Sequence, residues 1–175
     1  MTLSFVLDPD PTPELRTEIV RLWADVTNAG GAVGFVPPVT ADDVRATADR
    51  QFAGVAPEGP DRLLVARESA SGRIVGVLFF ESMRFALMEH WRMLKRVMVH
   101  PDFQGRGHGV ELMAEAERIA RDWGLDGLRL TARGGLGLEA FYLRCGYKEV
   151  GRVPGAIRVA PGDDRDDITF WLGLD

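Results

Sequence analysis

The segment from Val97 to Gly109, which reads VMVHPDFQGRGHG, carries the clearest chemical signal in the chain. Apolar residues typical of a strand lead into a loop with alternating glycines, and an amphipathic helix follows. A strand, a glycine loop and a helix N-terminus in this order build an anion site, because unpaired backbone amides and the helix dipole converge there. Glycines leave room for a phosphate to approach those amides closely. The segment therefore predicts a phosphate-bearing ligand, in particular a pyrophosphate.

Two other phosphate loops do not match this segment. The Walker loop needs Gly-x-x-x-x-Gly-Lys followed by Ser or Thr, and neither Lys95 nor Lys148 stands in such a place. The dinucleotide pattern Gly-x-Gly-x-x-Gly is broken because Val110 occupies its third glycine position. Residues 135–140, GLGLEA, match that pattern loosely, but too little chain follows for a dinucleotide-binding fold. The pattern that remains is Gln-x-x-Gly-x-Gly, from Gln104 to Gly109.

Apolar periodicity predicts the elements that position this loop. Thr12 and Thr40 are suited to cap two N-terminal helices. The predicted strands are residues 3–7, 62–68, 73–85, 94–99, 128–132, 147–150 and 168–174, and the predicted helices begin at 13 and 40 and cover about 107–123 and 136–145. Residues 154–167 are predicted to be a loop between the last two strands. The order βααβββαβαββ indicates an α/β or α+β fold with a mixed central sheet, in a single domain of residues 1–175.

The composition limits the classes of function. Of the 175 residues, 46% are hydrophobic, and 21 basic against 26 acidic residues give a net charge of −5. Binding to nucleic acid or to an anionic membrane is therefore not expected. No stretch reaches the roughly 18 apolar residues of a membrane span, and the N-terminal residues carry no targeting pattern. Cys145 is the only cysteine and the histidines are not spaced as metal ligands, so we expect a cytoplasmic protein without a disulfide or a bound metal.

In combination, these motifs resemble the GCN5-related N-acetyltransferase (GNAT) superfamily. Its acetyl-CoA loop reads [QR]xxGx[GA] after a VxxxP strand end, which Gln104–Gly109 and Val97–Pro101 match. The pairs Phe141-Tyr142 and Gly146-Tyr147 follow in the order that the family has. The resemblance covers roughly residues 63–172 and implies a GNAT-like domain, with helices on both faces of the mixed sheet.

The resemblance also implies roles for the residues of this segment. The co-substrate would be acetyl-CoA, contacted by Val97, Met98, Val99, Gln104, Gly105, Arg106, Gly107, His108, Gly109, Gly135 and Tyr142. The Met98 amide is placed to polarise the thioester carbonyl. Tyr142 matches the tyrosine that commonly serves the family as general acid toward the departing thiolate. On spacing alone, a tyrosine beside Phe141 in a short helix is also read as a core residue whose hydroxyl lies at a rim.

A narrower resemblance concerns the acceptor side. Residues 31–38, GAVGFVPP, and the run from Val150 to Gly155 look like the tabtoxin-resistance acetyltransferase branch. That branch leads us to expect acidic residues near Lys95 and Thr131, and neither is acidic, so the branch's substrate and general base are not carried over. We expect the acceptor to be contacted by Phe35, Val36, Glu81, Lys95, Thr131 and Asp166.

An acceptor amine arrives mostly protonated, so a base or a water chain must take its proton. The candidates are Glu81, Glu89 and four aspartates of the predicted late loop, Asp163, Asp164, Asp166 and Asp167. Each of these is otherwise read as a solvated surface acid. Taken together, the four aspartates would suit a cationic substrate.

The sequence therefore predicts an acetyl-CoA-dependent N-acetyltransferase for an amino-acid-like or antibiotic-like small amine. Two alternatives stay open: an acyl-CoA-binding sensor without turnover, and an enzyme that modifies protein lysines or N-terminal amines. A monomer and a homodimer are both compatible with the sequence.

Overall fold

The fold is described for residues 2–55 and 57–174 from a computed structural model of the chain. Within these residues, seven strands and four helices follow the predicted order. They are β1 (Leu3–Leu7), α1 (Pro13–Asn28), α2 (Ala41–Gly54), β2 (Arg62–Glu68), β3 (Ile74–Glu81), β4 (Trp91–Val99), α3 (His108–Asp122), β5 (Gly127–Arg133), α4 (Leu138–Arg144), β6 (Lys148–Ala160) and β7 (Asp163–Gly173). Two short 3-10 turns, Ala86–Met88 and Pro101–Phe103, lie on either side of β4.

All seven strands form one mixed sheet in the order β1-β2-β3-β4-β5-β7-β6. The β4–β5 pair is parallel, and the other neighbouring pairs are antiparallel. A parallel pair needs a crossover connection, and α3 supplies it. The mixed sheet and the predicted element order are both confirmed.

Helices cover both faces of the sheet, and the side-chain alternation of β2 shows how the two cores are separated. Leu63 and Val65 face α1 and α2, whereas Leu64 and Ala66 face α3 and α4. This division follows from the two-residue period of a strand. No helix within the described residues is long and apolar enough to cross a bilayer.

The helix starts agree with the capping residues of the sequence. The Thr12 hydroxyl accepts a hydrogen bond from the Leu15 amide at 3.2 Å, ahead of α1. Thr40 and Asp43 form a reciprocal capping box at the start of α2. These caps satisfy backbone amides that have no partner inside the helix.

The prediction of a loop over residues 154–167 is wrong, because these residues extend β6 and β7 into one long hairpin. Cross-strand ion pairs accompany this pairing: Arg152 donates to Asp166 at 2.9 Å, and Arg158 donates twice to Asp164, at 2.7 and 2.8 Å. The pattern of the sequence concealed the strands because most of β6 is exposed, so apolar residues do not alternate there. Smaller differences are that β3 ends at Glu81 rather than residue 85, and that β4 begins at Trp91 rather than residue 94.

Candidate functional site

The central strands β4 and β5 separate partway along the sheet. They are paired from Trp91 to Met93, opposite Gly127 to Arg129, and no pairing continues beyond that in the described chain. A bulge accompanies the separation: two residues of β4, Arg96 and Val97, lie opposite Leu78 of β3. A bulge bends its strand and increases the local twist. A gap therefore lies between β4 and β5 beyond Met93.

Arg96 is the bulged residue, and its surroundings fix the loop that follows α1. Its backbone has a φ of 53°, which is uncommon for a residue other than glycine. The guanidinium lies over the Trp23 ring, 4.8 Å from its centroid, and donates to the Val33 carbonyl at 3.3 Å. A Cβ at Gly34 would lie only 2.6 Å from Arg96 Nη1, so the close approach depends on glycine there. These contacts hold residues 31–36 beside the gap.

The first of two cavities in the gap, called here the loop cavity, lies against the glycine loop (residues 104–109) and has a volume of about 520 Å³. Its walls consist of glycines, aliphatic side chains, two aromatic rings and the amide of Gln104, with Arg144 as its single charged residue among those described. Seven of the residues predicted to contact the co-substrate line it: Val97, Val99, Gln104, Gly105, Gly107, Gly109 and Tyr142.

The glycine loop offers a row of free backbone donors. Within the described residues, the amides from Gly105 to Gly109 have no hydrogen-bond acceptor, whereas the next amide, of Val110, donates to the Gly107 carbonyl. Gly105 and Gly107 have φ values of 72° and 87°, and a Cβ on either would meet open space. Five consecutive free amides at the start of a 15-residue helix are the donor set that a phosphate requires. The loop therefore fits the predicted pyrophosphate.

Gly109 has a different role from the other glycines of the loop. A Cβ there would lie 3.2 Å from the ring of Phe141, so the absence of a side chain lets α3 pack closely against α4.

Four predicted co-substrate contacts lie elsewhere: Met98, Arg106, His108 and Gly135 line neither cavity. The His108 ring is buried, with Nδ1 3.0 Å from Glu111 Oε1. The Arg106 side chain is exposed. Gly135 lies in the turn between β5 and α4 with a φ of 83°, and a Cβ there would meet the end of the Arg165 side chain.

Met98 faces away from the gap. The His100 amide donates to the Val75 carbonyl of β3 at 2.7 Å, and backbone groups two residues apart in a strand point the same way. The Met98 amide therefore points to β3, and its side chain is buried between the sheet and α1. By the same alternation, Val97 and Val99 direct their backbone groups into the gap. The expectation that the Met98 amide faces the gap is therefore wrong by one residue, because the Val97 amide faces it instead.

Tyr142 lies where the loop cavity ends. Gly137 caps the start of α4, and its φ of 72° allows the tight turn from β5 that brings Tyr142 under the gap. Its ring packs beside Phe141, Tyr147 and Phe170. Burial, and to a lesser extent Cys145, raises the pKa of the Tyr142 hydroxyl far above that of a free phenol. Like a free phenol, the hydroxyl is protonated at neutral pH, so it carries a proton that it can donate.

The second cavity, called here the charged cavity, has a volume of about 360 Å³ and lies on the other side of Tyr142. The two cavities share Ala32, Val33, Val97 and Tyr142. The charged cavity brings together four of the predicted acceptor contacts: Phe35, Val36, Lys95 and Thr131. A molecule in each cavity would thus meet at Val97 and Tyr142.

Two predicted acceptor contacts do not line the charged cavity. Asp166 accepts hydrogen bonds from Arg152 at 2.9 Å and from the Gly155 amide at 3.1 Å, and these bonds hold the pKa of its carboxyl below its usual range. Glu81 lies at the end of β3, where its charge offsets part of the lowering that burial imposes on the Arg96 pKa.

Three charged residues of this cavity, Arg96, Arg133 and Arg158, were not singled out from the sequence, and Asp167 takes the place expected for Asp166. Arg133 follows Thr131 by two residues on β5, so strand alternation could have found it. Asp167 lies opposite Arg133 in the β5–β7 register, which only the tertiary structure reveals.

Comparisons with known proteins agree with this geometry. The model of the acetyltransferase (GNAT) family matches residues 31–147, a range that contains the glycine loop and Tyr142. Mycothiol acetyltransferase of Nocardiopsis dassonvillei is 39% identical over 79 residues. That match spans 45% of this chain and 21% of the relative's length.

Solved structures share the fold across nearly the whole chain. A proposed phosphinothricin N-acetyltransferase superposes with a TM-score of 0.79 at 20% identity, covering 99% of both chains. A protein of Salmonella typhimurium, solved with its cofactor acetyl-CoA, superposes with a TM-score of 0.70 at 18% identity, covering 100% of this chain and 95% of that one.

Proposed function

This chain belongs to the acetyltransferase (GNAT) family, and we propose that it transfers the acetyl group of acetyl-CoA to the amine of a small molecule. The observation that carries the proposal is the junction of the two cavities. The loop cavity offers free amides to a pyrophosphate, the charged cavity offers side chains to an acceptor, and both reach Val97 and Tyr142.

Residues on the loop side would hold the donor. The amides of Gly105 to Gly109 would bind the pyrophosphate. The backbone groups of Val97 and the Val99 amide would pair with the pantetheine arm, since the Val99 carbonyl already accepts from Gln104 Nε2 at 2.9 Å. The Val97 amide, rather than that of Met98, is then the group available to polarise the thioester carbonyl. Acetyl-CoA supplies its acetyl group as a thioester, so that a C–N bond to the amine forms while the C–S bond breaks.

Tyr142 would supply the proton that the departing thiolate needs. Tyr142 lines both cavities, and its hydroxyl carries a proton at neutral pH as any phenol does. The amine loses one proton as the new bond forms. Asp167, the one carboxylate among the described residues that line the charged cavity, is the group available to receive it.

A small acceptor suits the site better than a protein chain. The charged cavity is closed on one side by residues 32–36, which the Arg96 and Arg133 contacts hold in place, and on another by β6 of the long hairpin. The likeness to mycothiol acetyltransferase and to a proposed phosphinothricin N-acetyltransferase supports the same class of acceptor. The tabtoxin-resistance likeness of residues 31–38 stays a prediction, and with Lys95 and Thr131 in the cavity we do not extend it to the substrate.

Calorimetry and a thiol-release assay test the proposal together. Acetyl-CoA should bind, and CoA should be released when the protein receives a panel of small amines, faster than with lysine-containing peptides. An absence of acetyl-CoA binding would overturn the proposal. Binding without turnover of any amine or peptide would favour an acyl-CoA sensor instead.

A further inference from the structure

The charged cavity contains more basic than acidic side chains, although the protein as a whole is acidic. Among the described residues, Lys95, Arg96, Arg133 and Arg158 line it, against the single carboxylate of Asp167. The sequence predicted the opposite charge, since the four late aspartates suggested a cationic substrate. A local excess of positive charge inside a protein of net charge −5 needs a specific reason.

Three of these four cations form no hydrogen bond or ion pair with a carboxylate of the described residues. The charges of Glu81 and Asp163 act on Arg96 and Arg133 only at longer range. Arg158 is paired with Asp164, so its charge is compensated within the hairpin. Lys95 has no hydrogen bond or ion pair within residues 2–55 and 57–174, and Arg133 donates only to the Phe35 carbonyl, at 3.0 Å. Arg96 donates to the Val33 carbonyl, and its Nε is buried with no partner in the described chain.

Unpaired charges in a half-buried cavity are costly unless a ligand supplies the counter-charge. Burial lowers the pKa of both Arg96 and Arg133, because it disfavours the charged form of each guanidinium. Arginine is the side chain best suited to bind a planar carboxylate or a phosphorus oxyacid with two parallel hydrogen bonds. The cations come from both sides of the gap, Lys95 and Arg96 from β4 and Arg133 from β5, so they converge on the space between the strands.

The cavity also holds one unpaired acid. The Asp167 carboxylate has no hydrogen bond or ion pair to any other described residue, and it lies opposite Arg133 in the strand register. One free carboxylate beside several free cations matches a molecule with one amine and one or more acidic groups.

We infer that the acceptor is an anionic amine of amino-acid type, whose acidic group is bound by Lys95, Arg96 and Arg133 while its amine lies toward Asp167 and Tyr142. The inference rests on the proposed acetyl transfer, because it names the acceptor of that reaction. It excludes polyamines and simple alkylamines as preferred acceptors. Carboxylate and phosphonate groups share the chemistry that these side chains recognise.

Matched amine pairs test the inference. L-Glutamate is compared with L-glutamine, L-phenylalanine with 2-phenylethylamine, and 2-aminoethylphosphonate with propylamine, each by CoA release at saturating acetyl-CoA. We expect kcat/KM to be at least about tenfold higher for the more acidic member, a factor equivalent to about 1.4 kcal/mol. The phosphonate pair distinguishes the two kinds of acidic group. A preference for the neutral or cationic members would overturn the inference while leaving acetyl transfer intact.

The chain's two lysines provide a matched pair of variants. Lys95→Met should reduce the preference for the acidic member by about tenfold or more, whereas Lys148→Met, at an exposed position outside both cavities, should leave it unchanged. The Lys95 side chain forms no hydrogen bond or ion pair with the other described residues, so the substitution removes no such contact from the fold. Unchanged acetyl-CoA affinity of the variant checks that it is folded. An unchanged preference in Lys95→Met and in Arg133→Gln would contradict the inference.

A binding measurement covers the case in which no panel amine is the physiological acceptor. N-Acetyl-L-glutamate and N-acetylputrescine are titrated into the CoA-saturated protein. The anionic product should bind and the cationic product should not. Equal binding of both, or of neither, would overturn the anionic acceptor. A failure of CoA itself to bind would instead count against the proposed function.

Discussion

The loop cavity and the charged cavity meet at Tyr142 but are built from different kinds of groups. Free backbone amides and glycines form the loop cavity, and nearly all of its side chains are uncharged. Long charged side chains from three strands line the charged cavity, and most of them form no ion pair with another residue of the described chain. Backbone donors suit a phosphate that every member of a family binds, whereas side-chain charges vary between proteins that share the same backbone. The difference separates what is common to the family from what is specific to this chain.

The largest expected effect is at the junction. Tyr142→Phe removes the hydroxyl but keeps the ring that packs against Phe141, Tyr147 and Phe170. If the hydroxyl supplies the thiolate's proton, kcat should fall by about 10²- to 10⁴-fold while acetyl-CoA affinity stays within error. Steady-state kinetics and calorimetry measure the two quantities separately. An unchanged kcat would remove Tyr142 from the reaction.

The next effect compares a glycine of the loop cavity with a glycine of an ordinary turn. Gly107→Ala and Gly124→Ala both place a Cβ at a positive φ, 87° and 67°, with open space around it. Each should lower the free energy of unfolding by about 1 kcal/mol through backbone strain alone. Gly107→Ala should also weaken acetyl-CoA binding by about tenfold, because the loop amides would shift. Equal acetyl-CoA affinity in both variants would show that the loop does not bind the pyrophosphate.

A smaller effect tests the assignment of the acidic group in the charged cavity. Asp167→Asn should raise the acceptor KM severalfold, because its carboxylate lines the cavity and has no hydrogen bond or ion pair among the described residues. Asp166→Asn should leave that KM unchanged, because Arg152 and the Gly155 amide already occupy its carboxylate. Kinetics with one acidic acceptor compare the two variants. The reverse ranking would mean that the hairpin takes another register in solution.

The smallest effect is spectroscopic and concerns the proton held at the junction. Tyr142 and Tyr147 are the chain's only tyrosines, and burial raises the pKa of both hydroxyls. Free tyrosine ionises at about pH 10. The folded protein should therefore show no phenolate absorbance at that pH. Because the unfolded chain does ionise there, the free energy of unfolding should decrease as the pH rises above about 10. An ordinary phenolate titration of the folded protein would contradict the buried environment of Tyr142.

The sequence predicted the loop cavity better than the charged cavity for a physical reason. A strand, a glycine loop and a helix N-terminus are contiguous, so the residues from Val97 to Gly109 define their own geometry. Even there, the bulge at Arg96 decides which amide faces the gap. The sequence predicted the amide of Met98, whereas the amide of Val97 faces the gap. Acceptor residues come from the α1–α2 loop, β4, β5, β6 and β7, so their convergence depends on tertiary structure.

The late hairpin illustrates the same limit. Residues 154–167 contain glycine, proline and aspartate, which are typical of a loop. In the structure they form paired strands with arginine–aspartate pairs across the hairpin, and no alternation of apolar residues in the sequence predicts this pairing. These pairs also change what the aspartates indicate about the substrate, from a cationic molecule to an anionic one. Asp164 and Asp166 compensate arginines of β6, and Asp163 compensates Arg165, which leaves Asp167 to face the cavity.

A crystal structure of the protein with acetyl-CoA and N-acetyl-L-glutamate added in separate experiments tests the central claim most directly. The account predicts a pyrophosphate on the amides of Gly105 to Gly109, an acetyl group between Val97 and Tyr142, and a product carboxylate beside Lys95 and Arg133. A pyrophosphate bound instead by the arginines of the charged cavity would contradict the division of the site into a backbone-built donor cavity and a charged acceptor cavity.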